Sequence, residues 1–119
     1  MKGNILIACR DNECRIHLLR MLSKPTVTVD SVTEDEDVLL QMLEKDYDAL
    51  IVDLDMLSFD GLKMVKILRR MRPKVPLVVI SNDPSKELGG KILQEGVIYY
   101  AVKPVHLEAV KQAVLNCLA

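Results

Sequence analysis

Short unbroken apolar runs alternate along this chain with stretches whose apolar residues recur at helical spacing. Asn4 to Cys9 is continuous and apolar after its first residue, which predicts a strand covered on both faces. Cys14, Leu18, Met21 and Leu22 then fall on one helix face, with Asp11 or Asn12 placed to cap it and Lys24-Pro25 ending it. Thr26 to Val32 is β-branched and reads as a second strand. Thr33 is expected to cap the next helix in a capping box with Glu36, with Val38, Leu39, Met42 and Leu43 as its core stripe. Tyr47 to Asp53 holds the third strand. Asp60-Gly61 opens a helix with Leu62, Val65 and Leu68 inward; Arg69, Arg70 and Arg72 suit its carboxyl end, and Pro73 and Pro76 stop it. Pro76 to Ser81 is the fourth strand, and Pro84 suits the first turn of a helix ending near Gly96. Val97 to Val102 is the fifth strand; His106 to Leu118 is a last helix with Leu107, Val110, Val114 and Leu118 inward.

Five strands alternating with five helices imply an α/β fold, a doubly wound five-stranded parallel sheet with helices on each side, (βα)5, read as one domain over residues 1–119. Such a sheet forms its site beyond the carboxyl ends of its strands. The residues there are Cys9-Arg10-Asp11, Asp53 to Met56, Ser81-Asn82 and Val102-Lys103-Pro104.

Composition narrows the class. A chain of 119 residues can bury a core without staples. Sixteen Lys and Arg against seventeen Asp and Glu give a net charge of −1, no footprint for nucleic acid or an anionic membrane. The apolar runs are too short to span a bilayer and the amino terminus too short for a signal core, so a cytoplasmic location is expected. Cys9, Cys14 and Cys117 are odd in number and scattered. They form no disulfide framework, CxxC pair or zinc set and read as small buried hydrophobes. His17 and His106 are read as structural or solvated, His106 helping to cap the last helix.

Three strand ends carry groups suited to phosphoryl chemistry. A carboxylate at Asp53 can accept a phosphoryl group as an acyl phosphate. Lys103 can pair with a phosphoryl oxygen or with that carboxylate, and Ser81 offers a hydroxyl donor. Each alone is weak, since a strand-end Asp is usually a turn former. Together they resemble the receiver domain of two-component response regulators over the whole chain. Tyr47-Asp-Ala-Leu-Ile-Val-Asp53 looks like the family's third strand and phosphoacceptor, and Asp60-Gly61 its third-helix opening. Ser81 matches the hydroxyl that closes on the phosphoryl group; Tyr100-Ala-Val-Lys103-Pro104 matches the switch aromatic, the Lys and the Pro, whose peptide bond is commonly cis in the family. The resemblance implies flavodoxin-like topology and phosphorelay signalling without enzyme activity of its own. Its partners would be a sensor histidine kinase or another signalling protein, with an output domain in the same or a separate chain. A homodimer through the face of the fourth and fifth helices is also implied.

One departure stands out. Receivers carry two adjacent acids after the first strand that hold Mg²⁺ beside the phosphoacceptor; the ungapped positions here are Cys9 and Arg10. A thiol and a guanidinium offer Mg²⁺ no hard oxygen. Mg²⁺ is therefore expected to bind weakly or not at all. Arg10 is expected to repel it and to pair with Asp53, or with Lys103 to replace its charge. A one-residue slip would instead put Asp11 at the ligand position, making Asp53, Asp11 and Asp55 the candidate metal set. The main expectation for Asp55 is a solvated side chain. Leu57-Ser58-Phe59 replaces the family's frequent Pro-Gly-Met, with Phe59 a loop anchor or partial cover of the site. Gly89 and Gly90 inside the fourth helix predict that it is short, late-starting or mobile, unless they allow close packing. Tyr99 and Tyr100 must face opposite sides of their strand. Two functions follow: a receiver signalling by protein contact without phosphorylation, or a working receiver phosphorylated on Asp53 by a histidine kinase. A nucleotide-binding enzyme of similar fold is disfavoured, because no Gly-rich loop follows the first strand.

Overall fold

The computed structural model describes residues 2–56, 58 and 60–118. Five strands, β1 (Gly3–Ala8), β2 (Val27–Val32), β3 (Ala49–Asp53), β4 (Leu77–Ser81) and β5 (Tyr99–Val102), form one parallel sheet in the order β2-β1-β3-β4-β5. Between them run α1 (Asn12–Leu22), α2 (Asp35–Glu44), α3 (Gly61–Met71) and α4 (Lys86–Gln94), and α5 (Leu107–Leu115) follows β5. A 3₁₀ turn, Leu54–Met56, leaves β3.

The apolar strands are buried on both faces, and their period of two divides the core. Ile5, Ile7 and Cys9 join Leu18, Leu22, Val110 and Val114 under α1 and α5. Leu6 and Ala8 join Val38, Met42, Met64, Val65, Leu68 and Ile92 under α2, α3 and α4. β3 and β4 lie in the middle, with every residue buried. The reversal of strand order beside β1 opens the crevice where a doubly wound sheet forms its site.

Helix ends follow local chemistry, with some departures from expectation. Asp11 caps α1 by accepting from the Glu13 amide at 3.1 Å. Asp60 caps α3, accepting from the amides of Leu62 at 2.9 Å and Lys63 at 3.4 Å. The Thr33–Glu36 capping box does not form. Glu34 holds the cap position without a side-chain bond, and Asp35, Glu36 and Asp37 place three acids in the positive first turn instead. Leu43 is not core: it is 69% exposed, because it lies about 100° round the helix from the inward Met42. His106 caps α5 by backbone position alone. The helix stops at Leu115, so the half-buried Leu118 lies beyond it.

The fourth helix is short and starts late. Pro84 precedes it rather than filling its first turn, and Ser85 takes the cap, accepting from the Leu88 amide at 3.2 Å. Gly96 ends it with φ +83°, the left-handed conformation that glycine adopts without penalty. Its two interior glycines differ. A Cβ on Gly89 would meet the Tyr100 ring at 3.2 Å, whereas one on Gly90 would meet nothing within 4 Å. Close packing against Tyr100 therefore accounts for Gly89 only. Tyr100 packs on the α4 side of the sheet and Tyr99 on the α1 and α5 side, as their adjacency requires.

Gly90→Ala should stabilise the fold by about 0.5–1 kcal/mol, the helix-propensity gain of alanine over glycine. Gly89→Ala should gain less or lose stability, because the Tyr100 ring must give way. Urea denaturation of both variants measures the difference.

Candidate functional site

Asp53 closes β3 and is 2% exposed. A carboxylate so placed needs partners for both oxygens. Oδ1 accepts from the Asp55 amide at 2.9 Å. Oδ2 meets the Lys103 ammonium at 2.8 Å and the Cys9 thiol at 3.5 Å. Lys103 reaches this point because its amide continues the ladder beyond β5, donating to the Ser81 carbonyl at 2.9 Å. The Lys103–Pro104 peptide is cis.

The same ammonium pairs with Asp55 Oδ2 at 2.8 Å, and Asp55 Oδ1 accepts from the Asn82 amide at 3.2 Å. The Asp55 side chain is thus engaged while the residue stays exposed: the 3₁₀ turn after β3 brings it to the strand ends. Burial pulls the Lys103 ammonium pKa down, but hydrogen bonds and charge from Asp53 and Asp55 outweigh it and hold it above the usual lysine value.

The end of β1 divides its residues between two directions. Cys9 points under α1 and is fully buried. Its thiol donates to two acceptors, Asp53 Oδ2 and the Asp11 carbonyl at 3.6 Å. Interaction with Cys14, burial and the charge of Asp53 push the Cys9 thiol pKa up; the same interaction lowers that of Cys14 against the opposing effect of burial. Cys14 and Cys117 are half-buried, so only Cys9 among the three is the fully buried hydrophobe expected. Arg10 does not pair with Asp53. It turns out to the edge of the sheet, donating to the Thr33 carbonyl at 3.3 Å and pairing with Glu34 at 3.1 Å. Neighbouring residues of an extended segment face opposite ways, and Cys9 holds the inward position. Arg15 ties the turn, donating to the Cys9 carbonyl at 3.4 Å and to Asn12 Oδ1 at 2.6 Å. Asp11 lies near the pocket, with Oδ1 committed to the α1 cap.

Ser81 and Tyr100 meet through a residue that sequence reasoning passed over. The Ser81 hydroxyl accepts from the Asp83 amide at 3.0 Å, and the Tyr100 hydroxyl donates to the Asp83 carbonyl at 3.1 Å. Asp83 Oδ1 accepts from the Ser85 amide at 2.8 Å, fixing the entry to α4. The Asn-Asp-Pro sequence before α4 signalled a turn, but nothing in it marked Asp83 as the link between these two hydroxyls.

Asp35 was also missed as a site residue. It is 6% exposed and binds the loop after β3, accepting from both the amide and the hydroxyl of Ser58. Leu57 and Phe59, and so the reading of Phe59 as anchor or cover, lie outside the described residues. The site side chains thus fall into three groups: Asp53, Asp55, Lys103 and Cys9 in contact, Ser81 and Tyr100 joined through Asp83, and Asp11 and Arg10 bonded elsewhere while lining one cavity with Asp53, Asp55 and Lys103.

Residues 5–115 match the family described as Response regulator receiver domain, and the chain belongs to that family. It is a receiver domain of two-component signalling. The sensory/regulatory protein RpfC of Xanthomonas campestris pv. campestris is 39% identical over 105 residues, covering 84% of this chain and 14% of that protein. The transcriptional regulatory protein ZraR of Salmonella typhimurium is 26% identical over 83 residues, covering 70% of this chain and 19% of that protein. The chain therefore spans less than a fifth of either relative. Among solved structures, the receiver domain of the Francisella response regulator 1452 superposes with a TM-score of 0.86 at 21% identity, covering 98% of this chain and 96% of that one. Among the described residues, no helix is long and apolar enough to cross a membrane.

The Ser58 donors hold the Asp35 carboxyl down to about 2 against an ordinary 3.8, with burial opposing them. A carboxyl so depressed stabilises the fold above its ordinary value, and the contribution is lost as pH falls through its native one. Ser58→Ala removes the hydroxyl donor and keeps the amide. The Asp35 carboxyl should then titrate higher, between about 2 and 3.8, in a carbon-13 NMR titration, and the variant should lose less stability on acidification, with the loss complete at a higher pH than in the parent.

Proposed function

We propose that this receiver works in phosphorelay signalling with a phosphoacceptor pocket whose positive charge is the Lys103 ammonium rather than a divalent cation. On this reading it transmits its signal mainly by protein–protein contact, with phosphorylation of Asp53 slow or absent. The observation that carries it is the single ammonium bridging Asp53 and Asp55 at 2.8 Å each, with a thiol in the place beside Asp53 at the end of β1.

The donor set fits Mg²⁺ poorly. The ion needs near-octahedral hard oxygen ligands at short range. Asp53, Asp55 and Asp11 line the same cavity, and the first two are committed to Lys103. Cys9 presents a thiol, whose soft sulfur suits other metals. Asp11 accepts the α1 capping bond. Arg10, fixed in charge, stands at the rim. Phosphoryl transfer relies on positioned cationic charge to offset the charge on the transferring oxygens. Here, among the described residues, Lys103 is the one cation in contact with the acceptor carboxylate, so the acceptor is held but the transfer is weakly assisted.

The partners follow from the family: a sensor histidine kinase or another signalling protein upstream, and an output domain in this protein or in a separate chain downstream. Seating a kinase would bring its phosphohistidine to the strand ends, where Asp53, Ser81 and Lys103 lie.

Incubation with acetyl phosphate and Mg²⁺, followed by intact-mass analysis, tests the reading. The parent protein should show little or no phosphorylated species, and the double variant Cys9→Asp, Arg10→Asp should gain at least tenfold more. Rapid phosphorylation of the parent, lost in Asp53→Asn, would establish the working phosphoacceptor instead.

A further inference from the structure

The outward faces of α2 and α3 carry opposite charges beside exposed apolar side chains. On α2 the exposed residues include Glu36, Glu44, Leu40 at 51% and Leu43 at 69%. On α3 they are Lys63, Arg70 and Ile67, the last at 38%. A single exposed leucine is ordinary, but apolar side chains grouped on neighbouring helices and rimmed by charge mark a contact surface. Among the described residues, none of Glu36, Glu44, Lys63 and Arg70 has an ion-pair partner.

The two helices cover the same side of the sheet and meet at their carboxyl ends, where Arg72 Nη2 donates to the Met42 carbonyl at 2.7 Å. Their flanks are identified by their contacts. Lys66 faces α4, pairing with Glu95 at 3.9 Å just beyond it; Ile67, about 100° further round α3, lies toward α2. Gln41 faces the β2 edge, with Oε1 at 2.9 Å from the Tyr47 hydroxyl that bonds to Asp30. Leu43, about 200° further round α2, lies on the opposite flank, toward α3. Leu43 and Ile67 thus line an apolar seam with acids on one side and bases on the other. The two helices also match in spacing: Glu36, Leu40, Leu43 and Lys63, Ile67, Arg70 each run i, i+4, i+7.

We propose that this face binds a second copy of the chain about a twofold axis running along the seam. Such an axis lays α2 of each copy over α3 of the other, with the helices running in the same direction. Glu36 then faces Lys63 of the partner subunit, Leu40 faces the partner's Ile67, and Glu44 falls beside the partner's Arg70. The two copies of Leu43 come together near the axis. A twofold contact requires a surface complementary to itself. This one qualifies because its charge changes sign across its own seam, and a net charge of −1 leaves little repulsion between copies. It is a different face from that of the fourth and fifth helices implied by the resemblance, and it does not depend on whether Asp53 accepts a phosphoryl group.

Sedimentation velocity tests the proposal. From micromolar to millimolar concentration the parent protein should show a monomer–dimer equilibrium that weakens as salt is raised, because exposed ion pairs are screened. Glu36→Lys with Glu44→Lys should weaken self-association by at least about tenfold, and so should Lys63→Glu with Arg70→Glu, because like charges then face each other. An equimolar mixture of the two double variants should recover the dimer, since every reversed helix then meets its opposite; recovery also shows that both variants fold. A parent that stays monomeric throughout would overturn the proposal and leave the face to a different partner. A dimer indifferent to both reversals, or a mixture that stays monomeric, would overturn the pairing of α2 with α3.

Discussion

The central constraint is a charge buried at the end of a parallel sheet. Asp53 is almost completely removed from water, and an isolated carboxylate in that position would cost far more than a domain of this size can offset. The Lys103 ammonium at 2.8 Å makes the position tolerable. Removing one partner of such a pair typically costs about 3–5 kcal/mol, because the other is left uncompensated. Much of the architecture serves that contact. β5 pairs with β4, the Lys103 amide continues the ladder to Ser81, and the turn after β3 returns Asp55 to the same ammonium.

Lys103 neutralises two carboxylates at once, and among the described residues it is the one cation in contact with Asp53. A second cation beside Asp53 would have to displace it in part or bring new ligands. Cys9 brings none that Mg²⁺ favours. Arg10, adjacent in sequence, contributes its charge to Glu34 at the sheet's edge instead. Asp53, Ser81, Tyr100 and Lys103 stand where the resemblance places the acceptor, hydroxyl, aromatic and lysine of a receiver, and Cys9 and Arg10 follow β1.

Most of the fold was legible in the sequence because the apolar runs were long enough to be buried on both faces and were separated by helix-period segments. Asp53, Ser81 and Lys103 were legible because strand ends in a doubly wound sheet converge. What failed was short-range. Thr33 looked like a cap, but α2 starts one residue later, where three acids serve its amino end. Leu43 matched the apolar stripe by type and missed it by angle. Arg10 was expected to turn inward to Asp53, and Cys9 held that place; only the pleat of the segment decides between adjacent residues. The contacts made by Asp35, Asp55 and Asp83 join loops to distant elements, and no local pattern encodes them.

The most direct measurement of the central claim is the carbon-13 carboxyl shift of Asp53 and Asp55 as Mg²⁺ is raised to millimolar concentration, with the Lys103 side chain followed in the same sample. If the lysine ammonium alone supplies the pocket's positive charge, all three signals stay where they are. Saturable movement of both carboxyl signals, with release of Lys103 from the pair, would show a divalent cation entering the pocket and contradict the account.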